Sequence, residues 1–258
     1  MMHEPAPVPP DLTRDGFLDG RVRLWQPRTG YRAAVDPVLL AAFVPAAPGA
    51  RVLELGCGAG VAALCLAARV GGLDLHGLEI QPAYAALAAR NAAENGLALT
   101  VHAGDLRRPP PELRRLAFDH VLMNPPFHPP TAPPSPDQGR DRAHREEAGL
   151  GDWLDAGLRR LVPGGFLVLV HRAERLGDVL AGLAGRAGSV DVLPVAPRAG
   201  APAGRILVRA RKGRRGPLRL WPALTLHAEA RPGGAAAPYT APANVVLRGR
   251  AALLPFAT

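Results

Sequence analysis

Segments typical of β-strands and segments typical of α-helices alternate along the chain from residue 51 onward. In chain order they are RVLEL (51–55), VAALCLAARV (61–70), LDLHGLEI (73–80), PAYAALAARNAAEN (82–95), LTVHA (99–103), FDHVLM (118–123), GDWLDAGLRRLV (151–162), FLVLVH (166–171) and AERLGDVLAGLAG (173–185). Strands that alternate with helices of this length are typical of a parallel sheet covered on both faces.

After residue 185 the alternation stops. The segments SVDVLPV (189–195) and GRILVRARK (204–212) are strand-like, and no helical segment separates them. Two consecutive strands with a short connection usually pair antiparallel. The sequence therefore predicts a Rossmann-like, doubly wound α/β fold, in which a mostly parallel seven-stranded sheet carries an antiparallel hairpin at its edge.

The charge balance favours a polyanionic partner. The chain has 31 Lys and Arg residues against 22 Asp and Glu residues, a formal net charge of +9, and such a surplus attracts nucleic acid. A solvated, arginine-rich surface explains the same balance. The two cysteines are too few for a disulfide framework or a four-cysteine zinc site. Neither a signal peptide nor an apolar run of membrane-spanning length is evident, so we expect a cytoplasmic protein.

A glycine loop joins the first strand of the alternating series to its helix. It reads ELGCGAG, from Glu54 to Gly60. Glycines allow a sharp turn and let a ligand lie against the main chain. The dinucleotide fingerprint GxGxxG is not met, because the sixth residue counted from Gly56 is Val61. The spacing is GxGxG, preceded by an acidic residue.

Two acidic residues follow the same pattern on the next strands. Glu79 ends the second strand, and Asp105 follows the third. A carboxylate at the position of Glu79 can accept hydrogen bonds from both hydroxyls of a ribose. The alternative interpretation of both residues is that they are solvated acids at strand ends.

The fourth strand, FDHVLM, runs directly into Asn124-Pro125-Pro126-Phe127. Ligands of parallel sheets bind beyond the carboxyl ends of the strands. The Asn124 side-chain oxygen and the Pro125 carbonyl can face the two hydrogens of a planar amino group and direct its lone pair at an electrophile. The prolines stiffen the loop, and Phe127 offers a flat face on which a base can lie. A simple turn is the alternative.

These stretches resemble a known family. ELGCGAG resembles motif I of the class I S-adenosylmethionine (SAM) methyltransferases, and NPPF resembles motif IV of those that modify planar amino groups. The stretch QPRTGYRAAVDPVLLAAF (26–43) is similar to the N-terminal segment of the bacterial tRNA (adenine-N6) methyltransferases that act on valine tRNA. The resemblance extends through LVPGGFLVLVHRAERL (161–176) and LPVAPRAGAPAGRILVRARKG (193–213). The proline-rich residues 128–138 and the tail 229–258 depart from the family pattern.

The resemblance implies SAM as cofactor, N6-methylation of a tRNA adenine, and no metal. The implied catalytic residues are Asn124, Pro125, Pro126 and Phe127. The implied cofactor-binding residues are Glu54, Gly56, Cys57, Gly58, Gly60, Glu79, Ile80, Asp105, Leu106 and Asn124, together with Gln26, Tyr31, Arg32 and Asp36 from the segment before the glycine loop. Asp105 is expected to face the adenine amine of SAM. Asp36 is also a candidate helix N-cap.

We expect three regions along the chain. Residues 1–45 hold a loose lead-in up to residue 20, a hairpin in residues 21–35 that turns at residues 28–30, and a helix that closes the cofactor pocket. Residues 46–215 form the SAM-dependent methyltransferase domain. Residues 216–258 form an irregular tail packed on the domain, with strand-like runs PLRLW, LTLHA and NVVLRG.

Basic residues in two places are candidates for contact with RNA phosphates, which would give affinity without sequence information. They are Arg140, Arg142 and Arg145 near the NPPF loop, and Arg209, Arg211, Lys212, Arg214 and Arg215 at the end of the antiparallel pair. Solvated clusters at the surface are the alternative. The sequence does not indicate an oligomeric state.

Other functions compete with the tRNA hypothesis. Methylation of guanine N2 in rRNA or of a protein glutamine amide keeps the chemistry and changes the acceptor. The glutamine enzymes use NPPY, whereas position 127 is Phe, and the guanine enzymes often carry a duplicated domain. A non-catalytic RNA-binding module would keep the fold alone. The intact Glu54, Gly56, Gly58 and Asn124 argue against that module.

Overall fold

The structure, a computed structural model, describes residues 11–29, 32–126, 148–229 and 237–253. It begins with an antiparallel hairpin of β1 (Leu12–Phe17) and β2 (Val22–Pro27). Leu18, Asp19 and Gly20 make the turn at positive φ. The predicted loose lead-in was therefore wrong for residues 11–20; residues 1–10 lie outside the described residues. The predicted hairpin turn at residues 28–30 was also wrong, because β2 pairs with the chain that precedes it.

Two asparagines explain this choice of partner. The Asn91 side chain accepts a hydrogen bond from the Trp25 N–H at 2.8 Å and donates to the Trp25 carbonyl at 3.0 Å. Asn95 does the same with the N–H and carbonyl of Arg23, at 2.9 and 2.8 Å. These amides occupy the second edge of β2, so a downstream strand has no free backbone edge to pair with.

Nine strands of the described residues form one sheet, and seven of them carry the fold. They are β3 (Arg51–Leu55), β4 (Asp74–Glu79), β5 (Thr100–Ala103), β6 (Phe118–Met123), β7 (Leu161–Arg172), β8 (Ala187–Ala196) and β9 (Arg205–Lys212), with the two-residue strands β10 (Arg219–Leu220) and β11 (Leu224–Thr225) beside β8. The spatial order is β8-β9-β7-β6-β3-β4-β5. Strands β3 to β7 are parallel to their neighbours in this group, and β9 is antiparallel to β7 and β8. The predicted fold class is confirmed.

Helices cover both faces of this sheet. They are α1 (Val35–Phe43), α2 (Val61–Arg69), α3 (Pro82–Glu94), α4 (Pro111–Arg114), α5 (Leu150–Arg160), α6 (Leu176–Leu183) and α7 (Ala241–Leu247). Successive residues of β3 point to opposite faces, so that Val52 joins a core with α1 and α2 while Leu53 joins a core with α5 and α6. The alternating sequence pattern thus gives a sheet that is buried on both sides.

Two helix ends differ from the sequence prediction. Helix α1 begins after Ala34, which makes no side-chain cap, and Asp36 lies in its first turn, where it forms an ion pair with Arg205 at 3.2 Å. The run NVVLRG was predicted as a strand, but its first four residues end helix α7. Thr240 caps this helix by accepting from the Ala243 N–H, and this local cap overrides the β-propensity of the two valines.

Within the described ranges, no helix is long and apolar enough to cross a membrane. The same ranges contain no group of three or more His, Cys, Asp or Glu side chains placed to hold a metal ion. Cys57 and Cys65 are buried and not disulfide-bonded.

Candidate active site

Three glycines shape the loop between β3 and α2. Gly56, Gly58 and Gly60 have φ values of 63°, 53° and 86°, in the left-handed region that residues with a side chain rarely adopt. The Cys57 N–H donates to the Leu78 carbonyl at 3.1 Å, and the Gly60 N–H donates to the Cys57 carbonyl at 2.8 Å. The loop is therefore a tight turn that presents its backbone to the carboxyl edge of the sheet.

Glu79, the last residue of β4, binds the side of this loop. Its Oε2 accepts from the Gly58 N–H and its Oε1 from the Gln81 N–H, both at 2.9 Å. Burial raises the pKa of Glu79, and backbone N–H donors from Gln81, Gly58 and Ile80 act in the opposite direction. A carboxylate has about four acceptor positions, so one remains for an incoming hydroxyl group.

Glu54 is buried beneath the loop. Its Oε2 accepts from the Ala63 N–H in the first turn of α2 at 2.8 Å. Burial raises the pKa of Glu54 to about 8; the Ala63 N–H lowers this pKa and the charge of Glu79 raises it. The carboxyl group is thus mainly protonated at neutral pH, and a nearby cation would favour its ionised form.

The raised pKa of Glu54 predicts a pH-dependent stability. The folded-state pKa of about 8 exceeds the ordinary value of 4.5 for a glutamate. Below the ordinary value both the folded and the unfolded state hold the proton. As pH rises between the two values, the unfolded state releases the proton first, and stability falls until the folded-state pKa is passed. A Glu54→Gln protein should lack this component, and the difference between the two proteins should change by about 1.4 kcal/mol per pH unit at most.

The measurement is urea unfolding of both proteins at about pH 5 and about pH 8, within the window set by linkage. Glutamine keeps an oxygen for the Ala63 N–H, so the comparison isolates ionisation. A free energy of unfolding that differs by the same amount at both pH values would contradict a raised pKa at this position.

Two cavities open on either side of Gly56, which lines both. The other lining residues of the first cavity are Gln26, Ala33, Pro37, Glu54, Cys57, Ala59, Val61, Ala62, Tyr84 and Asn124. The other lining residues of the second are Leu78, Ile80, Gly104, Asp105, Leu106, Arg107, Pro126, Ala148 and Trp153. In the second cavity the Ile80 side chain is unusually exposed, at 49%. The first cavity thus presents the polar side chains of Gln26, Glu54 and Asn124, whereas the second is mostly apolar.

The sheet register places Asn124 beside the glycine loop. Met123 of β6 pairs with Leu55 of β3, so Asn124 and Gly56 are the next residues on neighbouring strands. Asn124 lines the first cavity together with Glu54, and Pro126 lines the second. Pro125, which lies between these two residues in the sequence, is buried. The structure thus brings the two sequence motifs together, although Phe127 lies outside the described residues.

Asp105 is held in its ionised form by a neighbouring arginine. The Arg107 Nε lies 3.1 and 3.0 Å from the two carboxylate oxygens, and a terminal nitrogen of Arg107 lies 2.6 Å from Oδ2. Hydrogen bonds from Arg107 lower the pKa of Asp105. The second cavity therefore has a carboxylate that can accept a hydrogen bond from an amino group.

Trp153 of α5 is a site residue that the sequence did not reveal. Its ring lies over Gly56, so that a Cβ added at Gly56 would be 2.4 Å from the ring. Its indole Nε1 is buried and has no hydrogen-bond partner among the described residues. A tryptophan on the apolar face of an amphipathic helix is ordinarily a core residue, and only the fold shows that this one faces a cavity.

The family assignment follows from the region that contains this site. Residues 34–178 match the methyltransferase small domain family. The matched residues include both the glycine loop and the Asn124-Pro125-Pro126 turn. This chain belongs to the methyltransferase small domain family. The methyltransferase uses SAM as its methyl donor.

Relatives of this methyltransferase agree with the assignment. It is 29% identical to the tRNA1(Val) (adenine(37)-N6)-methyltransferase of Dickeya chrysanthemi, over 79% of this chain and 82% of the relative. A protein of the same name from Yersinia pestis is 30% identical, over 72% and 76% of the two chains. The crystal structure of a predicted O-methyltransferase from Agrobacterium tumefaciens is 27% identical, with a TM-score of 0.67 over 84% of this chain and 97% of that one.

The N-terminal segment of the methyltransferase reaches the first cavity through Gln26. The buried Gln26 side chain donates to Asp15 and accepts from the Ala33 N–H, both at 2.8 Å. Arg32 donates to the same Asp15 carboxylate at 2.7 Å, so it fixes Gln26 indirectly. Asp36 and Arg32 are not among the described lining residues of either cavity. Tyr31 lies outside the described residues.

One predicted RNA contact of the methyltransferase was wrong. Arg209 is 4% exposed, and its guanidinium donates to Asp191 at 3.1 and 2.7 Å. A guanidinium that is buried and paired inside the sheet cannot reach a phosphate. Successive side chains of β9 point to opposite faces of the sheet, so an arginine in this run can be buried although its neighbours in the sequence are basic.

The rest of this basic run lies at the edge of the sheet opposite the glycine loop. Arg211 pairs with Phe166 near the start of the last parallel segment, at the edge opposite the glycine loop. Arg211 and Lys212 donate to the carbonyls of Gly164 and Leu161. Arg214 and Arg215 are exposed at this opposite edge. The candidates Arg140, Arg142 and Arg145 lie outside the described residues.

Proposed function

We propose that this methyltransferase transfers a methyl group from SAM to N6 of an adenine in tRNA. The observation that carries the proposal is the register of β3 and β6, which sets Asn124 next to Gly56. An amino group held at Asn124 therefore adjoins a cofactor that lies on the glycine loop. The relatives named as tRNA1(Val) (adenine(37)-N6)-methyltransferases support adenine and tRNA as the acceptor. A tRNA substrate implies a reaction in the cytoplasm.

We assign the two cavities to the two ends of the cofactor. The first, with Glu54 and Gln26, suits the charged amino-acid end, because a cation beside Glu54 favours its carboxylate. Glu79, whose carboxylate binds the Gly58 N–H of the glycine loop, suits the ribose hydroxyls. Ile80 and Asp105 in the second cavity suit the face and the amine of the adenine ring. When bound, the cofactor supplies the reactive methyl group, so the protein's task is positioning.

Asn124 and Pro125 position the acceptor. The exocyclic nitrogen of adenine is a poor nucleophile because its lone pair is delocalised into the ring. Two acceptors, the Asn124 side-chain oxygen and the Pro125 carbonyl, favour a pyramidal nitrogen whose lone pair points away from them. Adjacent prolines hold both oxygens in place before substrate arrives. Such positioning can lower a barrier by roughly 7–11 kcal/mol.

The same residues favour a nitrogen acceptor over a hydroxyl acceptor. The Agrobacterium tumefaciens relative is described as a predicted O-methyltransferase. Methylation of a hydroxyl group is assisted by a base that removes its proton. The residue beside the glycine loop in this chain, Asn124, is an amide and has no basic atom. Its oxygen is instead suited to an N–H donor.

Radiolabelled methyl transfer tests the proposal. The protein is incubated with methyl-labelled SAM and bulk tRNA, and the tRNA is digested to nucleosides. We expect label in N6-methyladenosine. Label in guanosine or in protein, with none in N6-methyladenosine, would refute the proposal. Calorimetry with SAM in the same buffer tests the non-catalytic alternative, which expects no heat of binding.

A further inference from the structure

A groove lies beside the cofactor cavities, and the function proposed above assigns no ligand to it. It lies between the segment that follows β5 and helix α5. Leu78, Leu106 and Arg107 line both this groove and the second cavity, so the two are continuous. The Arg160 side chain closes the far end by donating to the Arg114 carbonyl at 2.6 Å.

Arginines are the most numerous charged residues in the groove. Its described lining includes Arg107, Arg108, Arg114, Arg159 and Arg160, against two carboxylates, Asp152 and Asp155. Asp155 is already paired with Arg159 at 2.7 Å and with Arg186 at 2.8 Å. Asp152 accepts from the Gly149 N–H at the start of α5. With five arginines against two carboxylates, the lining of the groove has a positive surplus.

Two of these arginines are available to a ligand. Arg108 and Arg114 are exposed, and among the described residues neither guanidinium has a hydrogen-bond or ion-pair partner. The charge of Arg108 contributes to the low pKa of Asp105, so Arg108 lies near the cofactor cavity. Arg114 ends α4, at the other end of the groove. Helix α5, which forms one wall, has 11 residues and is about 16 Å long.

The geometry points to this groove as the place where the ribose–phosphate backbone of the RNA substrate binds. The inference rests on the proposed function, because a base held at Asn124 must have flanking nucleotides that leave the cavity. The groove is continuous with the second cavity, which Pro126 of the acceptor turn also lines, and its surplus of guanidinium groups suits successive phosphates. The basic run of β9 lies beyond Arg160 at the far end of the groove, where Lys212 donates to the Leu161 carbonyl. The run is therefore farther than Arg108 from the cofactor cavity and is a worse candidate.

Two charge-matched variants separate these surfaces. The first carries Arg108→Gln and Arg114→Gln; the control carries Arg214→Gln and Arg215→Gln, which removes two exposed arginines at the opposite edge. Binding of fluorescently labelled bulk tRNA is measured by anisotropy as salt is increased. The groove variant should bind roughly tenfold or more weakly. Its salt slope should fall by about 0.7–0.9 per lost phosphate contact.

The control should bind tRNA more tightly than the groove variant, and both variants should bind SAM like the unaltered protein. A groove variant that binds tRNA as tightly as the unaltered protein, or an equal or greater loss in the control, overturns the inference. tRNA binding is measured without methyl transfer, so it tests the groove alone. Failure of the proposed function shows separately, as absence of N6-methyladenosine from reactions of the unaltered protein.

Discussion

Replacing Asn124 by alanine is expected to slow methyl transfer ~100- to 1,000-fold while leaving the affinity for SAM nearly unchanged. The register of β3 and β6 places this side chain next to Gly56, at the edge where the cofactor cavities open. Its proposed role is to accept a hydrogen bond from the reacting amino group, and this bond matters only once substrate is present. The loss should therefore appear mainly in the single-turnover rate constant and in the steady-state kcat.

An Asn124→Asp protein is the matched control, because aspartate keeps an oxygen acceptor at the same position. It should retain more activity than Asn124→Ala. Calorimetry with SAM and thermal unfolding show whether either variant has lost the cofactor site. If the alanine protein binds SAM and methylates tRNA at an unchanged rate, Asn124 has no part in positioning the acceptor.

Replacing Gly56 by alanine should abolish SAM binding and lower the free energy of unfolding by roughly 2–5 kcal/mol. Two costs combine at this residue. Its φ of 63° disfavours any side chain, and the new Cβ would lie 2.4 Å from the buried Trp153 ring. Because Gly56 lines both cavities, any shift of the loop or of the ring that relieves the contact also alters the site.

Gly49→Ala separates the two costs. Gly49 also has a positive φ, 86°, but an added Cβ there meets nothing within 4 Å. It should lose only about 1–2 kcal/mol and keep SAM binding. In a Trp153→Leu background the stability cost of Gly56→Ala should shrink, and a double-mutant cycle measures this coupling. Equal costs at Gly56 and Gly49 would show that the tryptophan contact is unimportant.

The parts of the site that could be predicted from sequence are those with a local backbone signature. The glycine loop needs glycines for its positive φ values, and the turn after β6 needs its amide and prolines, so both appear in the sequence. The parallel strands were equally visible because each is an apolar run that ends in a turn signal. Strand β1 was missed because Thr, Arg and Asp interrupt LTRDGF. Its partner strand β2 has its other edge occupied by Asn91 and Asn95, and this depends on distant residues.

Features that depend on packing between distant segments had no such signature. Arg209 belongs to the same basic run as Arg214, yet β9 buries one and the turn beyond it exposes the other. The position of Trp153 over Gly56 depends on how α5 crosses the sheet. The arginine groove joins two segments about 45 residues apart, and each arginine alone is an ordinary surface residue.

A crystal structure with bound S-adenosylhomocysteine tests most directly whether cofactor and acceptor share one cleft. We expect its adenosine in the cavity of Ile80 and Asp105, its amino-acid end beside Glu54, and its sulfur facing Asn124 with space for a methyl group and an amine about 3–3.5 Å beyond it. A ligand bound away from the glycine loop, or a sulfur that faces away from Asn124, would contradict the account.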